Sequence, residues 1–277
     1  EISECLVGSE MCIRDRMNSV RFLLNNVWRI IAPKVYKINV LFAGFLYKII
    51  GKKIEDPFLI PIYINNYNHL KYLVDLIACL EKRGYRNIHI IDNDSTYKPL
   101  LIYYETCPYE VIKLGKNVGF TAIWDTGIYK KIWNSYYVYT DSDIFIEKDC
   151  PIDFMSHFVS VLEKYPLCHK VGFGLRIDDI PNYFTMKEQV IKHESQFWTK
   201  QIEPDLYDAR IDTTFALYRP FCKGPSNSYK FVIRTGGKYV CKHQPWYVNI
   251  NTSSVEDLYY IRSIQQSTHW SAKVKNM

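Results

Sequence analysis

Asp141 and Asp143 stand two residues apart, directly after the apolar run 136–140. Two carboxylates so close at the end of a strand repel each other unless a cation joins them. Hard oxygen ligands favour Mg²⁺ or Mn²⁺, and such an ion usually keeps positions open for the phosphates of a substrate. An isolated D-x-D is common in solvated turns, so its weight depends on what accompanies it. Here three further polar clusters each follow a short run of strand character. They are Asn65-Asn66-Tyr67-Asn68, Asp92-Asn93-Asp94-Ser95-Thr96 and Lys116-Asn117-Val118-Gly119. Turn chemistry alone would also favour Asp92 and Asp94 at a strand exit. No G-x-G-x-x-G or G-x-x-x-x-G-K-[ST] occurs, which argues against a standard dinucleotide site and a P-loop.

The elements that must position these clusters alternate along the chain. Strands are predicted over 58–64, 88–91, 110–114, 136–140 and 171–175. Leu70, Leu73, Val74, Ile77 and Leu80 have helical spacing, with Asn68 as the expected N-cap and Gly84 as the stop. Further helices are expected over 119–133 and 152–164. Strand–helix alternation predicts an α/β architecture, a Rossmann-like and mostly parallel sheet flanked by helices. In such sheets ligands bind beyond the carboxyl ends of the strands, where the four polar clusters fall.

The ordered set IPIYINNYN, IIDNDST, GKNVGF and YTDSDIF resembles the nucleotide-binding half of GT-A fold glycosyltransferases, in particular the bacterial family 2 group. The resemblance covers residues 58–150 and implies a nucleotide-sugar donor, UDP- or GDP-linked, with Mn²⁺ or Mg²⁺. It implies that Asp92 hydrogen-bonds the donor base, with Asp94 near the ribose or base. Asn65 and Tyr67 would line the base pocket, and Asn117 and Gly119 would lie along the donor. Asp141 would contact the ribose or the metal through water, and Asp143 would bind the metal directly. His243 is the candidate for a third metal ligand or a diphosphate contact, a role a C-terminal histidine often takes in this fold. A carboxylate suits the base contact because it accepts from the ring N–H groups of uracil or guanine.

Residues 56–150 are thus expected to form the donor half and 151–277 the acceptor half of one domain. An inverting enzyme needs a carboxylate base near the acceptor hydroxyl. Asp212, opening the strand-like run 212–218, is the candidate, with Asp257 next and Asp179 a further alternative. Trp198, Trp246 and Trp270 could stack on sugar rings. Glu256-Asp257 is present without the Q-x-x-R-W of processive synthases, which implies one sugar per encounter onto a glycan or lipid-linked acceptor, in surface polysaccharide synthesis. The alternatives are a sugar nucleotidyltransferase, which would want a Gly-rich, Arg-containing loop where 65–68 stands, and a catalytically inactive glycan- or nucleotide-sugar-binding protein, against which the Asp141/Asp143 pair counts.

The remaining composition sets boundaries. With 277 residues, 48% hydrophobic and 23% charged, the chain is neither disordered nor collagen-like. Residues 1–16 lack any period and resemble translated adapter sequence, so Met17 is the expected start. The net charge of +6 has its basic excess in 17–55, where seven Lys and Arg face Glu55 alone. No basic stripe runs along the body, which argues against nucleic acid as a partner. Val20, Leu23, Leu24, Val27 and Ile31 mark a helical face, which Pro33 is expected to break or restart. The uncharged run 38–47, ten residues flanked by Lys37 and Lys48, is too short to span a bilayer. It suits a helix lying on an anionic membrane, or one packed on the domain. Cys79, Cys107, Cys150, Cys168, Cys222 and Cys241 contain no C-x-x-C pair, so zinc is not expected. Without a signal peptide, free thiols in a reducing compartment are expected, the protein being cytoplasmic and peripheral on the inner face of the cell membrane.

Overall fold

The computed structural model describes residues 30–212, 214–222, 224, 230–249 and 252–263. The adapter-like run, the helical face from Val20 to Val27 and Trp270 lie outside the described residues. In the first half, β1 (Ile62–Asn66) lies between β2 (Ile88–Asp92) and β4 (Tyr137–Asp141), with β3 (Glu110–Lys113) outside β2, and all four are parallel. Next to β4 comes β9 (Ala216–Tyr218), antiparallel to both β4 and β6 (Lys170–Leu175). Then β10 (Ile233–His243) runs parallel to β6. Antiparallel β8 (Leu206–Asp208) and β7 (Gln201–Glu203) close the far edge, and β5 (Ile144–Ile146) pairs with the end of β10. The result is one ten-stranded sheet, ordered β3-β2-β1-β4-β9-β6-β10-β8-β7 with β5 beside that path, mostly parallel in direction.

Strand alternation distributes the apolar side chains to two covered faces. Ile62 and Ile64 face a core shared with Leu73 and Leu76 of α2 (Lys71–Lys82) and with Phe154 and Phe158 of α5 (Phe154–Lys164). Tyr63 points the other way, into an aromatic-rich core with Trp124, Tyr137, Tyr139, Ile211 and Tyr218. Burial on both sides explains why these strands read as near-continuous apolar runs. At Gly172 on β6 a Cβ would collide with the backbone of Phe215 and Ala216, so the strand must carry glycine for β9 to approach.

Several local expectations are corrected. The run 58–64 begins with a 3-10 turn, Pro57–Leu59, because Asp56 caps Phe58 N at 2.9 Å and Pro57 opens the turn. The strand therefore starts at Ile62 and includes both Asn65 and Asn66. The segment 119–133 is not one helix: a 3-10 turn (Gly119–Thr121), the short α4 (Ala122–Asp125) and a second 3-10 turn (Ile128–Lys131) are separated at Gly127, whose φ is 77°. A helix, α3 (Lys98–Thr106), which the sequence reading did not include, starts at Lys98-Pro99. Asn68 does not cap α2. Its φ of 55° turns the side chain toward α3, where Oδ1 accepts from Thr96 N at 2.7 Å and Tyr97 N at 3.0 Å. Pro33 interrupts nothing among the described residues: Ile30–Ile50 is one helix, α1, that runs unbroken past Pro33. The charge-free ten-residue run is thus part of a helix long and apolar enough, by length and composition, to cross a membrane. Downstream lie α6 (Lys187–Ser195) and α7 (Val255–Ser263).

Candidate functional site

Strand register assembles the site. Pairing sets Asn65 opposite Asp141, Asn66 opposite Asp92 and Asp92 opposite Lys113, so the polar ends of four parallel strands form one row. Backbone bonds continue it into the loops: Ser142 N to Asn65 O at 3.1 Å, Asn93 N to Asn66 O at 2.9 Å and Leu114 N to Asp92 O at 3.0 Å. Asn65 Nδ2 donates to Asp141 Oδ1 at 3.3 Å. Asp92 is buried, its carboxylate accepting from Tyr104 Oη at 3.1 Å and Ser95 N at 3.3 Å. A carboxylate has capacity for more than these two donors. Asp94 is exposed at a φ of 68°, a strained turn position that an aspartate tolerates. Asn117 Oδ1 accepts from Gly119 N at 2.9 Å, and Asn93 fastens this loop by accepting from Val118 N and donating to Gly119 O, both at 2.8 Å.

Asp143 reaches its partner through a different part of the fold. Antiparallel pairing of β5 with β10 places His243 opposite Ile144, and Gln244 N donates to Asp143 O at 2.8 Å. His243 Nε2 lies 3.1 Å from Asp143 Oδ2. Burial works against both charges, yet the attraction between them prevails. It holds the Asp143 carboxyl below the usual range and raises the His243 imidazole above its own. Asp143 Oδ1 and His243 Nδ1 are buried without hydrogen-bond partners among the described residues, as is Asn65 Oδ1.

The structure adds a residue that sequence reasoning missed. His69, at the entrance to α2, is buried with neither ring nitrogen hydrogen-bonded. Burial lowers its pKa to about 4, against the opposing charges of Asp143 and Asp257, so the ring is neutral at pH 7. Tyr260 of α7 packs on it, with ring centroids 3.8 Å apart. The signal available in the sequence was a titratable residue next to the first polar cluster.

α7 crosses the loop after β1. Tyr67 Oη donates to Ser263 O at 2.9 Å, Asn68 Nδ2 to Ser263 Oγ at 3.0 Å, and Tyr259 Oη to Thr96 Oγ1 at 2.9 Å. Glu256 Oε1 accepts from Leu70 N and Lys71 N, each at 2.9 Å, and so caps α2 in place of a local residue. Asp257 forms a capping box with Ser254, the two backbone N–H groups being satisfied reciprocally at 2.9 and 3.1 Å. Its charge still acts on His69 and Tyr72 together with that of Asp143.

Asp212 is exposed in the loop before β9; only Ala216–Tyr218 of the run 212–218 is strand. Its carbonyl accepts from Lys170 Nζ at 3.0 Å, and that amine also donates to Tyr218 Oη at 3.0 Å. Burial lowers the Lys170 pKa to about 7, while the charges of Asp212 and Asp141 oppose the shift. The two carboxylates therefore share one electrostatic neighbourhood. Asp179 is engaged elsewhere, 2.5 Å from Lys242 Nζ and accepting from Tyr247 Oη at 2.5 Å. Trp246 is buried against His243, and so offers no free face to a sugar. Trp198 packs on Tyr207 and borders an open cavity of about 310 Å³ with Arg176, Asp178 and Val240. Glu194 and Arg234 form a buried ion pair at 2.6 Å, and Arg219 donates to the carbonyls of Leu162, Tyr165 and Cys168, so these groups hold the second half together.

A resident metal can be tested against these residues. Among the described residues no group of three His, Cys, Asp or Glu could hold an ion alone. Asp143 and His243 supply a carboxylate and an imidazole, each with an unsatisfied buried atom. The imidazole nitrogen that faces the carboxylate, Nε2, is taken by the ion pair, so the two side chains could share an ion only once that pair opens and the ring gives up its proton. No family model matches the chain, and no curated protein matches it significantly.

Proposed function

We propose that the protein is a GT-A type glycosyltransferase, moving one sugar per encounter from a UDP- or GDP-sugar to a glycan or lipid-linked acceptor with Mn²⁺ or Mg²⁺. The observation that carries this reading is the single row of Asn65, Asn66, Asp92 and Asp141, continued to the Asp143–His243 pair at the same edge of the sheet. In this reading Asp92 and Asn65 hold the nucleoside, while Asp143 and His243, with Asp141 close by, hold the metal. The metal, when bound, offsets the charge that gathers on the diphosphate as the sugar–phosphate bond breaks. Asp212 takes the acceptor hydroxyl's proton, its exposed carboxylate being free to meet an acceptor from solvent. Neutral His69 cannot repel the metal and can donate or accept one hydrogen bond at the edge of the site.

The test is release of nucleoside diphosphate from a panel of UDP- and GDP-sugars with Mn²⁺, beside calorimetric donor binding. The reading expects one donor class to bind only with the metal, and Asp143→Asn to abolish that binding. Absence of metal-dependent binding across the panel overturns it.

A further inference from the structure

We infer that α1 docks the protein in the plane of an anionic membrane, with its outer face in the lipid interface and its inner face fastened to the domain. The helix has two apolar sides. Ala32, Tyr36, Val40 and Ala43 are buried in one stripe. Around the opposite side Ile31, Ile38, Leu41, Phe42, Phe45 and Ile49 are all exposed, at 43% to 66% of their surface. A helix serving only to cover a water-soluble domain would present polar residues outward.

The inner side fixes the orientation. Tyr36 packs against His169 with ring centroids 6.2 Å apart, and Tyr47 against Tyr136 at 5.3 Å. Just past the helix, Lys52 N donates to Asn134 O at 2.9 Å and Ser135 Oγ to Lys52 O at 2.9 Å. From Tyr36 to Tyr47 is about 16 Å of helix held along the body. A segment so fastened cannot stand across a bilayer while the body stays in water, although its length would suffice. Lying flat, it places Ile38, Phe42, Phe45 and Ile49 at acyl depth, with Leu41 at the border of that face. Lys34, Lys37 and Lys48 share the flank of the helix that carries Leu41, so their long side chains reach the headgroups from the border of the apolar face. The apolar face and the lysines together select a bilayer carrying negative charge over a protein partner.

Flotation of the full chain with phosphatidylcholine vesicles, with and without roughly 30% phosphatidylserine, tests this. The chain is expected to float with the anionic vesicles and to be released by alkaline carbonate. Leu41→Ser with Phe45→Ser should lower the bound fraction about tenfold or more, with an unchanged melting temperature because both side chains face outward. Lys34→Gln, Lys37→Gln and Lys48→Gln together should erase the preference for anionic lipid. Failure to float overturns the inference. So does resistance to carbonate, which means a spanning helix. Conversion of a dimer to a monomer by the Leu41/Phe45 variant also overturns it, because a second copy then covers the face.

Discussion

Replacing Asp143 with asparagine keeps the shape of the Asp143–His243 pair and removes one of its charges. Their side chains are 19% and 21% exposed and 3.1 Å apart. Exposed pairs contribute about 0–1 kcal/mol, and breaking a fully buried pair costs about 3–5 kcal/mol. An intermediate pair should lose about 1–3 kcal/mol. The pH dependence follows from the two shifts. The raised His243 contributes stability that is fully present below its unfolded value of about 6.5 and is lost as pH rises through the folded one. The lowered Asp143 contributes stability that is present above about 3.9 and is lost as pH falls through its folded value. The cost of Asp143→Asn should therefore peak between about pH 4 and 6.5 and shrink as pH rises past the folded value of His243. Urea denaturation at about pH 5.5 and at stepwise higher pH measures this. Histidine titration by NMR gives a second measure. Without Asp143, burial is the largest influence left on His243, and its pKa should move from above 6.5 to below it. An unmoved histidine pKa, or a loss that stays the same at every pH, would refute the pairing.

Three further outcomes follow, the first from the proposed sugar transfer and the other two from the geometry. Asp212→Asn should lower kcat by about 10² or more with donor affinity almost unchanged, in steady-state kinetics beside donor calorimetry; near-normal turnover would move the base to Asp257, which α7 brings into the same electrostatic neighbourhood. Glu256→Ala should cost about 1 kcal/mol through loss of the α2 cap, about 2–4 °C in melting temperature, while Glu256→Gln keeps the accepting oxygen and loses less; equal melting temperatures for both variants and wild type would exclude the cap. Lys170 binds fewer protons folded than unfolded between about pH 7 and 10.5, so it makes stability rise with pH across that window. Lys170→Met should flatten this rise in urea titrations at about pH 7 and 9, and an unchanged slope would remove Lys170 as its cause.

The first half of the sheet was legible because each strand is a short apolar run ending in a polar cluster, a local signal that register then turns into a row. Asp92, Asp141 and Asp143 could be singled out for that reason. The direct pairing of Asp143 with His243 was not legible, the resemblance offering His243 only as a metal or diphosphate contact, since it depends on β5, three residues long, meeting the end of β10. In the second half, β7, β8 and β9 are three residues each, and β10 is irregular between Thr235 and Val240. Strands so short carry little period. The cap of α2 was illegible for a different reason: its acceptor, Glu256, stands about 185 residues away in sequence. Asn68, next to the helix, is the local candidate that this distant residue displaces.

The placement of α1 has a consequence for reach. Its contacts, His169 and Tyr136, immediately precede β6 and β4, at the edge of the sheet where the parallel strands begin. Asp141 closes β4 at the other edge. With α1 in the interface, the sheet becomes a spacer of one strand height, about 17 Å for five residues, between the headgroups and the candidate site. The site then opens away from the bilayer. A lipid-linked acceptor carrying only its first sugar ends below that height, whereas a longer glycan stem, or an acceptor free in solution, arrives at the level of Asp141. Under the proposed sugar transfer, the body of the protein would thus act as a ruler, favouring acceptors already extended from the membrane, and transfer rates across acceptors of graded stem length would reveal a threshold.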